Sequence, residues 1–167
     1  MSRHTVIFDH ATMARKLRRI AHQLLEEHHR EESLVLVGVA PRGALLAQRL
    51  AERLLAIAPE LHIDLAELRL DKDHPHAAPV NISIDREALH DRVVVLVDDV
   101  LMSGRTLMHA AAYLVQVPLK KLTTVVLVDR RHRTFPIRAD IVGLTLSTTV
   151  QDHITVEFGA EDTVYLA

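Results

Sequence analysis

The chain has no cysteine and no tryptophan, and only three phenylalanines and two tyrosines among its 167 residues. Without cysteine there is no disulfide framework and no thiolate nucleophile, a usage that fits a reducing cytoplasm. With so few rings, the core has to be aliphatic. No apolar run is long enough for a signal peptide or a membrane span, so no membrane partner is expected. The formal charge of −2 gives no global attraction to nucleic acid, so any such site has to be a local patch.

What is present points to one globular unit. Apolar residues make up 49% and charged residues 25%, enough to build a core, and the length suits a single domain over residues 1–167. There are twelve histidines, most of them alone in polar stretches. None forms a compelling metal-ligand set, and His28 and His29 diverge by about 100° if helical. They read as solvated surface.

Element signals alternate. Asp9 caps a helix to about His29, with Phe8 and Met13 placed as a hydrophobic staple. Met13, Leu17, Ile20 and Leu24 then recur at helical spacing. Ser33 to Ala40 is a short Val-rich run, hence a buried strand. A helix follows with Leu46, Leu50 and Leu54 on one stripe. Residues 61–70 read as a strand, 71–79 as a loop and 80–85 as a half-exposed strand. Residues 92–100 form the next buried strand. A helix then carries Leu107, Ala110, Ala111 and Leu114 on one side. Further strands are expected at 121–129, 141–146, 154–158 and 163–167, with a basic loop at 130–140. This order predicts an α/β fold with a mostly parallel sheet. Ligands of such sheets bind beyond the carboxyl ends of the strands, so the loops after Val39, Val97 and Val128 should converge.

The most informative stretch is Val93 to Thr106, "VVVLVDDVLMSGRT". A buried strand runs into two adjacent aspartates, then into a small hydroxyl loop before a helix. Ser103, Gly104, Arg105 and Thr106 suit a monophosphate, because the first N–H groups of a helix lack partners and its dipole favours an anion. Asp98 and Asp99 beside such a site make sense if the ligand also brings hydroxyls and a divalent ion.

This stretch resembles the phosphoribosyl pyrophosphate (PRPP) signature of type I phosphoribosyltransferases. The blocks "RRIAHQLLE", "LVLVGVAPRGALLAQRLAERL" and "VVLVDRRHRTFPIRADIVG" resemble, in the same order, the family of bifunctional pyrimidine-operon regulators and uracil phosphoribosyltransferases. The resemblance implies the type I phosphoribosyltransferase fold, a twisted sheet flanked by helices with a small hood. It implies that Asp98 and Asp99 meet the ribose hydroxyls and, through water, Mg2+. Ser103, Gly104, Arg105 and Thr106 would hold the 5′-phosphate. Pro41, Arg42 and Gly43 match the pyrophosphate loop, where the family often has a cis peptide, and the bond before Pro41 makes a cis form cheaper. Residues 69–82 stand in place of the family's flexible lid, shorter than usual, with Lys72 aligned to a basic lid residue. Catalysis would rest on Asp98, Asp99, Arg42 and Lys72. Met102 can neither donate nor accept a proton, which favours a pyrimidine acceptor over hypoxanthine or guanine.

The same family implies a dimer or higher homo-oligomer and a messenger-RNA leader as partner. The basic face would join Arg15, Lys16, Arg18, Arg19 and His22 of the first helix to Arg130, Arg131, Arg133 and Arg138. The first helix is basic at its start and acidic at its end, with Glu26, Glu27, Glu31 and Glu32, against the preference of its dipole. Two features oppose the RNA reading: the family's lysine after "IRAD" is absent, and Glu26 and Glu27 lie close by. The alternative to an enzyme is a PRPP-sensing, RNA-binding attenuation regulator with little catalysis, which uses the same nucleotide site and depends on the basic face. A phospho-acceptor receiver domain shares an acidic pair after a strand, but places it near its N-terminus and has no use for the SGRT loop.

Overall fold

The computed structural model describes residues 4–167; residues 1–3 of the expected domain lie outside the described residues. The elements follow in the order β1 Thr5–Phe8, α1 His10–Glu27, β2 Ser33–Val39, α2 Arg42–Ile57, β3 His62–Arg69, β4 Asn81–Ile82, β5 Val93–Leu101, α3 Arg105–Leu114, β6 Lys121–Asp129, β7 Ile141–Thr145, β8 Ile154–Glu157 and β9 Thr163–Leu166. A short 3-10 helix covers Arg86–Leu89.

The main sheet has six strands in the order β4-β3-β2-β5-β6-β7. All its pairings are parallel except the edge pair β3 with β4. Alternation explains why β2 and β5 read as unbroken apolar runs. Leu34, Leu36, Val93, Val95 and Val97 face the core shared with α1 and α2. Val35, Val37, Val94 and Leu96 face the core shared with α3. A strand buried on both faces has no polar side to show. Leu46, Leu50 and Leu54 of α2 all lie in the first of these cores.

The start of α1 is built as the sequence indicates. Asp9 accepts from the Thr12 N–H at 2.8 Å, and Phe8 and Met13 are both buried in one cluster. The acids at its far end have tertiary partners: Glu27 pairs with Lys121 and Glu31 with Lys120, both at 2.7 Å. These cross-links to the start of β6 offset the unfavourable dipole position.

Two expectations are corrected. Of the strand expected at 80–85, only Asn81–Ile82 pairs with β3. Beyond it the Ser83 hydroxyl takes the Glu67 N–H at 2.8 Å, and the Asp85 carboxylate caps the 3-10 helix. Nor are all histidines solvated surface. His28 is buried, with its Nε2 3.2 Å from the Thr123 hydroxyl, while His29 is exposed. Strand β1 was not foreseen. It pairs antiparallel with β9, and β9 with β8, as a separate three-stranded sheet. This is the hood. Arg49 of α2 ties it down by donating to both carboxylate oxygens of buried Asp162, at 3.1 and 3.2 Å. Among the described residues no helix is long and apolar enough to cross a membrane.

Candidate active site

The carboxyl ends of β2, β5 and β6 are neighbours in the parallel sheet; β5 runs on through the acid pair to Leu101, so the loops that open on this edge follow Val39, Leu101 and Asp129. Two helices start there, α2 from the end of β2 and α3 from the end of β5. Neither N-cap residue, Pro41 or Gly104, supplies a side-chain cap, although the Arg105 N–H at the start of α3 meets the Ser103 hydroxyl. Uncapped first-turn N–H groups at positive dipole ends suit anions.

Packing fixes both turns. The Ala40–Pro41 bond is cis, and the chain then brings Gly43 against the end of β5. Gly104 has φ +86°, and a side chain there would also run into Ile137, at 2.7 Å. Glycine is thus required twice over at that point. The Ser103 hydroxyl receives the Arg105 N–H at 3.2 Å. The Ser103 carbonyl receives the N–H groups of Thr134 and Phe135, at 2.9 and 3.0 Å, which ties the hydroxyl loop to the loop after β6. Arg42, by contrast, is exposed and borders a cleft that α2 shares with Glu157, Phe158 and Gly159 of the hood.

Asp98 and Asp99 sit at the floor, 3% and 8% exposed. The Asp99 N–H donates to Asp98 Oδ1 at 2.9 Å. Burial, then the adjacent Asp99 charge, pushes the Asp98 carboxyl up to about 8, against the opposing pull of Lys72. The Lys72 ammonium lies 3.7 Å from Asp98 Oδ1. Lys72 and Asp98 are 26 positions apart in sequence; the fold brings the segment after β3 back to the acid pair. Lys72 and Gly43 therefore both meet Asp98, and the Ser103–Thr106 loop follows directly from the end of β5, whereas the Arg42 side chain lies toward the hood cleft.

The basic residues divide. Arg15, Arg18 and His22 of α1 are exposed, as are Arg131 and Arg138. Arg19 donates to the carbonyls of Val142 and Gly143, at 3.0 and 2.8 Å, and so fastens α1 to β7. Arg133 is turned inward, donating to the Asp129 carboxylate at 2.7 Å and to the carbonyls of Met102 and Ile137, both at 2.8 Å. Arg130 is buried. Its guanidinium donates to the Thr148 hydroxyl, the Thr149 carbonyl and Met102 Sδ, at 2.9, 3.1 and 3.2 Å. His132 also meets the Thr148 carbonyl.

Arg130, His132 and Thr148 form a wall beside Met102 that sequence reasoning missed. In a run of cationic residues every side chain reads as surface. The available signal was the position of Arg130 directly after a buried strand, where a side chain is committed before the chain can turn outward.

An α/β sheet with an acid pair and an uncapped hydroxyl-loop helix at its carboxyl edge defines a phosphoribosyl-transfer fold. The chain matches the phosphoribosyl transferase domain over residues 5–163, and it belongs to the phosphoribosyltransferase family. Its relatives include "Bifunctional protein PyrR" of Geobacter sp., 42% identical over 97% of this chain and 95% of that protein. The protein of the same name from Streptomyces coelicolor is 40% identical over 90% of this chain and 81% of its own length. Among solved structures, a hypoxanthine phosphoribosyltransferase from Staphylococcus aureus shares the fold with a TM-score of 0.73 at 20% identity, covering 87% of this chain and 79% of that one. The Trypanosoma cruzi hypoxanthine phosphoribosyltransferase in a ternary substrates complex gives 0.73 at 18% identity, over 84% and 80%.

Proposed function

We propose that the chain transfers the ribose 5-phosphate of PRPP to uracil, forming UMP and releasing pyrophosphate. The observation that carries this reading is the convergence of a buried acid pair and two uncapped helix starts on one crevice. Acids suit the ribose hydroxyls, and each helix start suits one of the two phosphate-bearing ends of PRPP.

In this reading the α3 turn, Ser103 to Thr106, holds the 5′-phosphate, and Asp98 and Asp99 accept from the ribose hydroxyls. The α2 turn, with Arg42, receives the pyrophosphate. The bond from the anomeric carbon to pyrophosphate breaks, the base ring nitrogen bonds to that carbon, and the ring N–H proton passes to solvent. The protein supplies no nucleophile; it orients two substrates and meets the charge growing on the leaving group. Lys72, brought in by the lid, adds a second cation on the pyrophosphate side, and the lid excludes competing water.

The donors present suit Mg2+. Asp98 and Asp99 are hard oxygen ligands, and Asp98 already draws a cation, Lys72. Among the described residues no group of three or more histidine, aspartate or glutamate side chains forms a metal cage, which matches the habit of Mg2+ of keeping waters and substrate oxygens. Bound there, Mg2+ would neutralise charge on the departing pyrophosphate. Met102 carries no proton to exchange with a purine and is itself in contact with Arg130, so the acceptor is a pyrimidine. Pyrophosphate release from PRPP and a panel of bases tests the proposal. Release with uracil supports it, and release only with hypoxanthine or guanine overturns it.

A second activity is favoured by a separate observation. Arg15, Arg18, His22, Arg131 and Arg138 are all exposed, and Arg19 holds α1 against β7, the strand that Arg138 precedes. These residues are proposed to bind a messenger-RNA leader of pyrimidine genes. Affinity for such a transcript should fall with salt, by a slope of about 0.7 per phosphate contacted. A regulator with little turnover would bind the transcript and release no pyrophosphate.

A further inference from the structure

The histidines of the lid and His109 of α3 have no part in the chemistry above, yet the fold brings them together. The lid is a folded turn. The Asp71 carboxylate accepts the N–H groups of Asp73 and His74 at 3.0 and 2.9 Å. The Ala77 N–H reaches the His74 carbonyl at 2.9 Å, and Pro75 is buried. These bonds join residues 71–77 into one folded turn.

That unit rests on rings. The His76 ring stands edge-on to the His109 ring, centroids 4.9 Å apart at 83°. His109 in turn stands 6.3 Å from the Phe135 ring at 67°. The Arg105 guanidinium lies 5.9 Å from the Phe135 ring and donates to the Asp73 carbonyl at 3.4 Å. Phe135 is fixed by its own N–H, which donates to the Ser103 carbonyl at 3.0 Å. The surface beneath the lid is therefore continuous with the hydroxyl loop, and one residue before the carbonyl that Arg105 holds stands Lys72, against Asp98.

We infer that the ring of His109, backed by Phe135, seats the lid and thereby positions Lys72 over the acid pair. His109 is a positioning residue, since it touches no reacting atom. Edge-to-face ring contacts are weak enough to open on each turnover and directional enough to return the lid to one place. A lid this short can reach only one landing point, so the ring beneath it sets where Lys72 arrives. The consequence for catalysis rests on the phosphoribosyl-transfer reading; the seat itself does not.

The test uses the full chain and two readouts. The first is trypsin cleavage after Lys72 in buffer alone. The second is kcat for pyrophosphate release with Mg2+, PRPP and uracil, alongside the fraction of PRPP lost to water. His109→Ala should speed cleavage roughly 2- to 10-fold, the range an edge-to-face ring contact supports. It should lower kcat on the order of 10-fold and raise the hydrolysed fraction, with KM for uracil unchanged. His109→Phe keeps a ring and should restore both readouts. His76→Ala lies on the exposed lid, where it cannot disturb the core, and should reproduce the alanine phenotype. Unchanged cleavage in both alanine variants, or a phenylalanine variant as impaired as the alanine one, overturns the inference. If the wild-type chain releases no pyrophosphate, the transfer reading fails, and the cleavage arm alone still decides the seat.

Discussion

Gly43 packs so closely on Val97 that a methyl group on its α-carbon would lie 2.6 Å from the Val97 carbonyl oxygen and 3.1 Å from the α-carbon of Asp98. The first turn of α2 is thus in backbone contact with the strand end that carries the acids. Gly43→Ala has to push the helix off β5. The expected loss is about 1–3 kcal/mol, as for other overpacked sites. Thermal unfolding should show a lower Tm, and titration with PRPP should show affinity reduced beyond what exposed variants at the far end of α2 produce.

Asp98 links stability to pH. Its carboxyl is raised to about 8 by burial and by Asp99, whereas an unfolded chain would ionise it near 3.9. Between those values the folded protein holds the extra proton. The stabilisation is full below the lower value and is lost as pH rises through the higher one. In buffer with a chelator, stability measured by urea unfolding should therefore decline from pH 6 to pH 9. Asp98→Asn should flatten that decline and abolish turnover together.

His28 works on the opposite limb. Burial holds its imidazole below the ordinary range, so the unfolded chain takes up the proton first as pH falls. Its contribution is present above about 6.5 and is lost as pH drops through the folded value. Urea midpoints at pH 5 and pH 7.5 should differ less in His28→Gln than in the wild type. The glutamine amide can keep a hydrogen bond to Thr123 without taking a charge.

Arg130 holds the wall beside Met102 through its bonds to Thr148 and Thr149. Arg130→Met removes those bonds and leaves the Thr148 hydroxyl and the Thr149 carbonyl facing an apolar chain, at a cost of about 1–3 kcal/mol for the groups left unpaired. On the proposed reading the base binds beside Met102, which Arg130 contacts, so KM for uracil should rise severalfold while the dissociation constant for PRPP stays unchanged. An equal loss in both would place Arg130 elsewhere in the mechanism.

Two of the arginines in the loop after β6 should separate. Arg138 is exposed, and Arg138→Ala is expected to weaken transcript binding, lower its salt slope and leave pyrophosphate release intact. Arg133 braces Asp129 and Met102 from within, so Arg133→Ala should impair turnover as well. Filter binding and kinetics on the same preparations distinguish them.

Much of this was legible in the residues themselves. The Val-rich runs gave β2 and β5 because a strand buried on both faces leaves no other reading, and the DDxxMSGRT order marked the crevice before its geometry was known. What could not be read is what depends on distant partners. Strand β1 has four residues and no local signature; only β9, at the opposite end of the described chain, makes it a strand. Arg130 and Arg133 look like surface cations until the segment around Thr148 arrives to receive them. His109 reads as one surface histidine among twelve until the His76 ring is set against it.

The pairing of Thr5 with Leu166 has a kinetic corollary. A contact between positions so far apart in sequence closes a very long loop, and such contacts form late. The parallel sheet and its crevice can assemble from the intervening segments first, with the roof arriving afterwards. Refolding followed by hydrogen exchange should protect the amides of β2 and β5 early and those of β1 and β9 last, so that the scaffold matures before its cover.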